Sequence, residues 1–475
     1  MYKAYITTLT NVRKHPNADR LLLADVFGNT VCVSTDYAEG QKIIYFPTDG
    51  QLSVEFAEKN NLVRKKDDAG NNIGGYMDPD KRNVTAIRLR GEKSDGLVLP
   101  LSCLTYTGVD MDTLNVGDVI DGVVNGHEIC QKYIPRRSNP SRAHGSGNKT
   151  RKHKVPTAPL FKEHADTEQL AYNLGAFKPG DEIEITLKMH GTSQRTGALP
   201  VLHGYKRSLW DKITRKEGTP IYDYGYVSGT RRVVLENYEG GFYGDNAFRE
   251  QHSKVFEGKL WKGETVYYEV VGFTTSGAPI MSSANNSKLQ DKEFIKQYGQ
   301  ETVFSYGCAP EEQHTFHHGE NGMFPITKSV VPQSDIYVYR MTMTNEDGEV
   351  VEYTPDFMRY RCEQMAVKTV PLFGKAIISA DRLHFVAPDG YDHDYLLKEG
   401  MTIGDLVMKV VEEFYDGPDP IGKTHVREGV VVRIINRAKF TAYKHKNFSF
   451  KVLEGIAKVE ADAPDIEEAQ EITEE

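Results

Sequence analysis

Cysteine is scarce and unpatterned: Cys32, Cys103, Cys130, Cys308 and Cys362 include no CxxC pair, which excludes a zinc ribbon or disulfide framework readable from spacing. Buried, reduced thiols are expected. No run of eighteen apolar residues occurs, so no membrane-spanning helix is expected. The opening MYKAYITTLTNVRKHPNADR lacks the apolar stretch and small-residue cleavage site of a secretion signal. A soluble, intracellular, cytoplasmic protein is the expectation. At 475 residues the chain exceeds the roughly 100 to 200 residues of one compact domain, so two or three domains are expected.

Positive charge is in short supply overall, with a net charge of −9, which disfavours nucleic-acid binding until the charge is located. Residues 460–475 carry eight acids and no base, so that without this tail the net charge is about −1. Residues 132–154, KYIPRRSNPSRAHGSGNKTRKHK, carry eight Lys or Arg and no acid, among Pro, Ser, Gly and Asn that build no core. This stretch reads either as a solvated linker or as a phosphate-tracking segment. It sets the boundaries used here: a first domain over 1–130, a basic linker over 131–155, a second domain over 156–458 with a polar insertion at 274–334, and an acidic, disordered tail over 459–475.

The first domain reads as short strands (YITTL, LLLADVFG, TVCVST, KIIYFP, AIRLRG, DGLVLPL) separated by Gly, Asn and Asp turns, hence a small all-β barrel or sandwich. Residues 62–83 are polar and Gly-rich, a mobile loop or insertion. After a short helical segment near Lys162–Leu174, DEIEITLKMHGTS alternates Ile183, Ile185 and Leu187 with Glu184, Thr186 and Lys188, placing Lys188 at the end of a strand's polar face. Further strands are expected at TVYYEVVGF, DIYVYRMTM, GVVVRII and FTAYKHK. Two helices are expected, one capped by Thr354 with Pro355 following and running to about Val370, the other starting near Thr402. The second domain is therefore α+β with antiparallel sheets.

Four polar elements sit on or beside these strands: Lys188-Met-His190-Gly191-Thr192, Tyr268-Glu269-Val-Val-Gly272, Arg427-Glu428-Gly429, and Lys444-His-Lys446. Lys444 and Lys446, two apart on a strand, project from one face, and adjacent like charges there favour a bound polyanion. Gly191 permits close backbone approach to a ligand. A lysine attacks only when neutral, and neighbouring cations lower its pKa toward that state. His314, His317 and His318 in the insertion lack a second ligand pair, and exposed loop histidines are the simpler reading.

Taken in order, these elements resemble the covalent nucleotidyltransferase superfamily of polynucleotide ligases and messenger-RNA capping enzymes, and most closely its RNA ligases. The family's KxDG or KxHG nucleophile motif corresponds to Lys188–Gly191, His190 favouring the RNA branch. Its ribose-binding glutamate corresponds to Glu269, and the glutamate of its EGhhhK-like motif, associated with metal, to Glu428. Its final KxKN motif corresponds to Lys444, Lys446 and Asn447. DIYVYR resembles phage ligase sequences of the form DFYVFD, which implies Tyr339 as the base-stacking ring, with Arg340 where the phage pattern has an acid. SGTRRV supplies an α-phosphate arginine, Arg231 or its neighbour Arg232, with Arg231 the choice; Arg195 is a second phosphate candidate. HPNADRL and LRGEKSDGLVLPL resemble an OB-type domain preceding the catalytic domain in some RNA ligases, and DNA ligases and capping enzymes normally reverse that order.

The resemblance spans residues 160–455. It implies an OB-like barrel followed by an ATP-grasp-like ligase adenylation domain. The implied activity is ATP-dependent joining of 3′-hydroxyl and 5′-phosphate RNA ends through a lysyl-AMP on Lys188, with Mg2+ or Mn2+, acting on RNA, nicked duplex or RNA/DNA hybrid as a monomer. A DNA or mixed-duplex ligase, and a non-catalytic nucleic-acid-binding OB protein, are the alternatives.

Overall fold

A computed structural model describes residues 2–70, 72–134, 156–164, 167–214, 218–235, 238, 243, 246–310, 317–319, 322–324 and 331–460. The basic stretch from 135 to 155, the acidic tail from 461, and the side chains of the insertion histidines lie outside the described residues. The cysteines are free, and all but Cys32 are buried. No helix among the described residues is long and apolar enough to cross a membrane.

The chain divides into two compact units. The first draws on 1–138, 284–301 and 447–464, the second on 139–283, 302–446 and 465–475. In the first, among the described residues, a four-stranded sheet, two three-stranded sheets and several two-stranded pairings surround a core that includes Ile6, Ile44, Phe46, Phe56, Leu104 and Ile129. The strand pairings among the described residues do not close into a barrel. The HPNADRL turn is a brace within this unit. The amide of Asn17 donates to His15 Nδ1 (3.0 Å), so His15 Nε2–H donates to Leu89 O (3.1 Å), while Asn17 Nδ2 donates to Arg90 O. Two segments that stood out in the sequence thus bind each other. The helix Phe448–Glu460 packs on the strand Ala86–Leu89, with Lys451 Nζ 2.6 Å from Asp95 Oδ2.

The second unit holds two antiparallel-rich sheets. One has seven strands in the order Glu168–Gln169, Thr441–Lys446, Gly429–Ile434, Glu182–Lys188, Leu372–Ile378, Arg382–Val386 and Asp392–Leu396. The other has six, with Thr219–Gly229, Thr192–Lys206, Glu264–Gly272, Ser334–Thr344 and Val350–Glu352 side by side, and Lys368–Thr369 parallel to Ser334–Thr344. The chain leaves the first sheet at Lys188 and enters the second at Thr192, so the KMHG segment is the crossing between them.

Both expected helices form. Thr354 Oγ1 accepts from Phe357 N and Thr402 closes a capping box with Asp405, but the first helix stops at Met365, where Ala366 turns left-handed. Among the described residues of 162–174 the expected helix does not form; a two-residue strand and two 3-10 turns run from 168 on, the strand tied to the edge of the seven-stranded sheet through Tyr443 and Lys444. The Glu182–Lys188 strand is buried on both faces, because Arg359 reaches Glu184 (2.6 Å) on the face that alternation marks as polar.

One buried ion pair fastens the six-stranded sheet to the Pro355–Met365 helix. Arg361 donates from Nε and Nη2 to both oxygens of fully buried Glu264 (2.9 and 2.8 Å), Tyr353 OH donates to the same carboxylate, and the guanidinium lies 3.8 Å over Trp261. Removing one member of such a pair strands the other charge. Arg361→Met is therefore expected to cost about 3–5 kcal/mol in denaturant unfolding, and the double variant with Glu264→Gln to regain part of it; a cost under about 1 kcal/mol would contradict the assignment.

Candidate functional site

The site lies at one end of the seven-stranded sheet and is set by register. Lys188 pairs with Gly429, and Gly429 pairs with Lys446, so the three stand in a row across adjacent strands. Gly429 has φ +147°, and a Cβ there would stand 2.1 Å from His445 O. Only glycine fits, and its neighbour Glu428 is delivered into the gap between the two lysines. Glu428 Oε1 lies 2.7 Å from Lys188 Nζ and 3.2 Å from Lys446 Nζ, while Oε2 lies 3.8 Å from His190 Nδ1; the carboxylate is buried.

Lys444 shares its strand face with Lys446. Burial pushes its ammonium down from 10.5 to about 8, with Lys446, Lys188 and Arg231 adding to the fall and Glu428 opposing it. Arg231 is thus within electrostatic reach of the lysine row, whereas Arg232 is exposed. Arg195 is spent differently. Its guanidinium is buried against the Phe161 ring at 4.2 Å and donates to the main-chain oxygens of Thr230, Phe161 and Arg232, which holds the loop carrying Arg231 in place.

The second sheet supplies the other wall. Thr192 pairs with Val270 and Ser193 with Glu269, so the strand carrying Glu269 lies directly beside the chain leaving the crossing. Gly191 is required there, since a Cβ would sit 2.4 Å from Val270 O and 2.9 Å from Glu269 Cγ. Tyr339 occupies a bulge: Tyr267 pairs with Arg340 and Tyr268 with Val338, leaving Tyr339 as the extra residue. Bulges re-aim side chains, and here the Tyr339 hydroxyl meets Ser193 Oγ at 2.8 Å while the ring stands edge-on to His164 at 5.1 Å. Buried Arg340 pairs with half-buried Glu352 and lies between the Tyr267 and Phe440 rings at 4.6 and 4.7 Å.

Lys188, His190, Arg231, Glu428, Lys444 and Lys446 are therefore linked by contacts or charge, with Glu269 and Tyr339 on the adjoining sheet. Asn447 falls in the first unit, where its Oδ1 accepts from Phe450 N. Neither His164 nor Tyr306 stands out from the sequence. His164 is buried and held well below its ordinary pKa by desolvation and by Arg340, Arg231, Arg195 and Arg433. The Tyr306 hydroxyl accepts from His190 N at 2.6 Å.

No set of three His, Cys, Asp or Glu side chains among the described residues forms a metal cage. A single buried carboxylate fits instead the way Mg2+ or Mn2+ is held by one or two acids plus the phosphates of a substrate. Glu428 would be its protein ligand.

Structures of an RNA ligase from Naegleria gruberi have this fold. A variant with ATP and Mn matches with a TM-score of 0.50 at 14% identity, covering 97% of this chain and 99% of that one. A variant with AMP and Mn gives 0.50 at 15% over 97% and 99%, and another with ATP and Mn gives 0.50 at 15% over 94% and 98%. At this identity the likeness is one of fold, and it runs nearly the whole length of both chains. No family model matches the sequence, and neither does any curated protein.

The depressed pKa of Lys444 would make any polyanion binding at this lysine row pH-dependent. Its positive charge is present below about pH 8 and lost as pH rises through that value, while a bound polyanion draws the proton back. Affinity for inorganic tripolyphosphate is expected to weaken above pH 8, by at most about tenfold per unit, with proton uptake on binding. Lys444→Arg keeps its charge and should flatten the profile between pH 7 and 9.5 in calorimetry; an unchanged alkaline limb would assign it to another group.

Proposed function

We propose that this protein is an ATP-dependent RNA ligase that joins 3′-hydroxyl and 5′-phosphate ends through a lysyl-AMP on Lys188. The observation that carries the reading is the row of Lys188, Glu428 and Lys446, with contacts of 2.7 and 3.2 Å, beside a lysine whose charge is already destabilised. The fold shared with an RNA ligase whose structures hold ATP, AMP and Mn supports it.

In this mechanism neutral Lys188 Nζ attacks the α-phosphorus of ATP. The N–P bond forms, the bond to the β-phosphate oxygen breaks, and pyrophosphate leaves with the electron pair. Lys444, Lys446 and Arg231 neutralise the phosphates as charge builds on the leaving group. Tyr339 stacks on the adenine and Glu269 accepts from the ribose hydroxyls. Glu428 holds the Lys188 ammonium at rest and is the nearest carboxylate to receive its proton. When a divalent ion is bound, Glu428 would hold it as a carboxylate, and the ion would supply charge neutralisation on the phosphates. The AMP then passes to an RNA 5′-phosphate, and the 3′-hydroxyl displaces it.

Nick-sealing or end-joining RNA repair, on nicked duplex or RNA/DNA hybrid, is the proposed task of a cytoplasmic monomer. The proposed division has an OB-type region ahead of the adenylation domain, the basic stretch as linker, and the acidic tail last. The resemblance carried by HPNADRL and LRGEKSDGLVLPL supports the OB reading, which would put an RNA-binding surface in the amino-terminal region.

Intact-protein mass spectrometry after incubation with ATP and magnesium tests this. The expected result is a mass gain of one AMP, absent with GTP and in Lys188→Ala, and absent in Lys188→Arg because guanidinium stays protonated. No adduct, even after pyrophosphate treatment to strip AMP acquired during expression, would favour a non-catalytic nucleic-acid-binding protein. If the adduct forms, Tyr339→Ala should weaken ATP binding by about 1–3 kcal/mol, the range for stacked bases; unchanged affinity would move the stacking role elsewhere.

A further inference from the structure

One buried cluster in the second unit takes no part in the chemistry above, yet touches the turn that carries it. Between the two sheets run Met189, His190 and Gly191, outside the ladder of either. The strand before them is fixed by pairs such as Lys188 with Gly429, and the strand after them by Thr192 with Val270. Lysine has a long, flexible stem, so what a fold controls is the direction in which its Cα presents that stem, and the peptides on either side set that direction.

The Tyr306 hydroxyl takes the amide hydrogen of His190 at 2.6 Å. Tyr306 is 2% exposed and has φ +50°, a conformation that a bulky L-residue holds only when its surroundings impose it. Two residues earlier, the Phe304 ring meets the His190 imidazole edge-on at 4.7 Å. Both aromatic rings pack on fully buried His425, at 5.3 and 4.7 Å.

His425 belongs to the loop that delivers Glu428. Its Nδ1–H donates to Val426 O (3.0 Å), and its main-chain oxygen accepts from Asp419 N (2.8 Å). Fully buried Asp419 closes the loop from the inside, its Oδ1 accepting from the amides of Ile421 and Gly422 at 2.8 and 3.4 Å. Gly422 lies so close to the Tyr306 segment that a Cβ would stand 3.1 Å from Gly307 N. The loop's exit is clamped as well, since Arg427 N donates to Gly417 O (3.0 Å) and its guanidinium to Phe414 O (2.5 Å). Glu428 is the next residue.

We infer that Tyr306 is a positioning residue for nucleotidyl transfer: its hydroxyl fixes the His190 peptide, and through it the approach of Lys188 to its target, while the Asp419–His425 loop anchors Tyr306 and Glu428 in one rigid piece. The inference rests on the proposed function and assigns a role to residues 302–309, which sequence alone assigns to a polar insertion. Burial, and after it the nearby Asp419 carboxyl, holds the Tyr306 phenol well above its ordinary range. The hydroxyl therefore stays a neutral acceptor at any working pH and does not enter the chemistry itself.

The test is Tyr306→Phe in the full chain, which removes the acceptor and keeps the ring. Single-turnover formation of lysyl-AMP at saturating ATP should slow on the order of tenfold, about 1.4 kcal/mol, with the ATP concentration for half-maximal rate changed less than about twofold. Amide hydrogen exchange at His190 should accelerate. Tyr45→Phe is the control, since Tyr45 OH donates to Asp95 O (2.9 Å) in the first unit. It loses a buried hydrogen bond of similar kind and should leave the rate unchanged. A Tyr306→Phe rate equal to wild type, an unaltered His190 exchange rate, or an equal slowing in Tyr45→Phe would each overturn the positioning role. Wild-type protein that forms no adduct would instead overturn the proposed function.

Discussion

Everything at the candidate site depends on one buried carboxylate standing between two ammonium groups. Glu428 would be an expensive charge to bury alone, and Lys188 and Lys446 would repel each other across a single strand if nothing lay between them. The arrangement is satisfied as a unit, with Glu428 Oε1 at 2.7 and 3.2 Å from the two nitrogens. Lys444, on the same strand face, holds its proton weakly, first because it is buried and then because Lys446, Lys188 and Arg231 add to the fall that Glu428 opposes. In the proposed mechanism the site would exchange this internal counter-charge for the phosphates of a nucleotide.

Register and glycine make that unit possible. The row of Lys188, Gly429 and Lys446 exists because three strands end in step, and Gly429 lets the chain turn Glu428 inward where any side chain would strike His445 O. Gly191 does the corresponding work at the other wall, letting the crossing peptide lie against the Glu269 strand. A shift of one residue in either ladder would reverse every side chain on it. The strand Gly429–Ile434, which carries Val430, Val431, Val432 and Ile434 and is buried at all but one position, ties the placement of the charges to the hydrophobic core rather than to the weaker interactions among the charges themselves.

The sequence exposed what is local and hid what is long-range. Lys188 at a strand end, Lys444 and Lys446 on one face, and the two helix caps at Thr354 and Thr402 follow from spacing of one to four residues, and the ladders and caps have that form. The bulge at Tyr339 arises from how two distant strands pair, and alternation within DIYVYR cannot reveal it. The fate of Arg195 depends on three carbonyls brought in from 161 to 232. Residues 284–301 and 447–460 group with the amino-terminal unit through packing that no composition boundary marks. Tyr306 shows the limit most plainly, because its meaning lies in a hydrogen bond to a residue 116 positions away.

The same distinction governs charge. A chain of net −9 gives no hint of a polyanion site, yet within the second unit His164 is surrounded by Arg195, Arg231, Arg340 and Arg433, and the lysine row follows. Two of those arginines are paired off: Arg340 with Glu352, and Arg195 with carbonyl oxygens. They build the wall and leave little charge for a ligand. Arg231, Lys444 and Lys446 differ in that their mutual repulsion is visible in Lys444 itself, which burial alone does not fully explain. A lysine whose hold on its proton is weakened first by burial and further by Lys446, Lys188 and Arg231 is one whose charge a phosphate would restore, and in the proposed reading this local balance, rather than net charge, marks where a nucleotide's anion would settle.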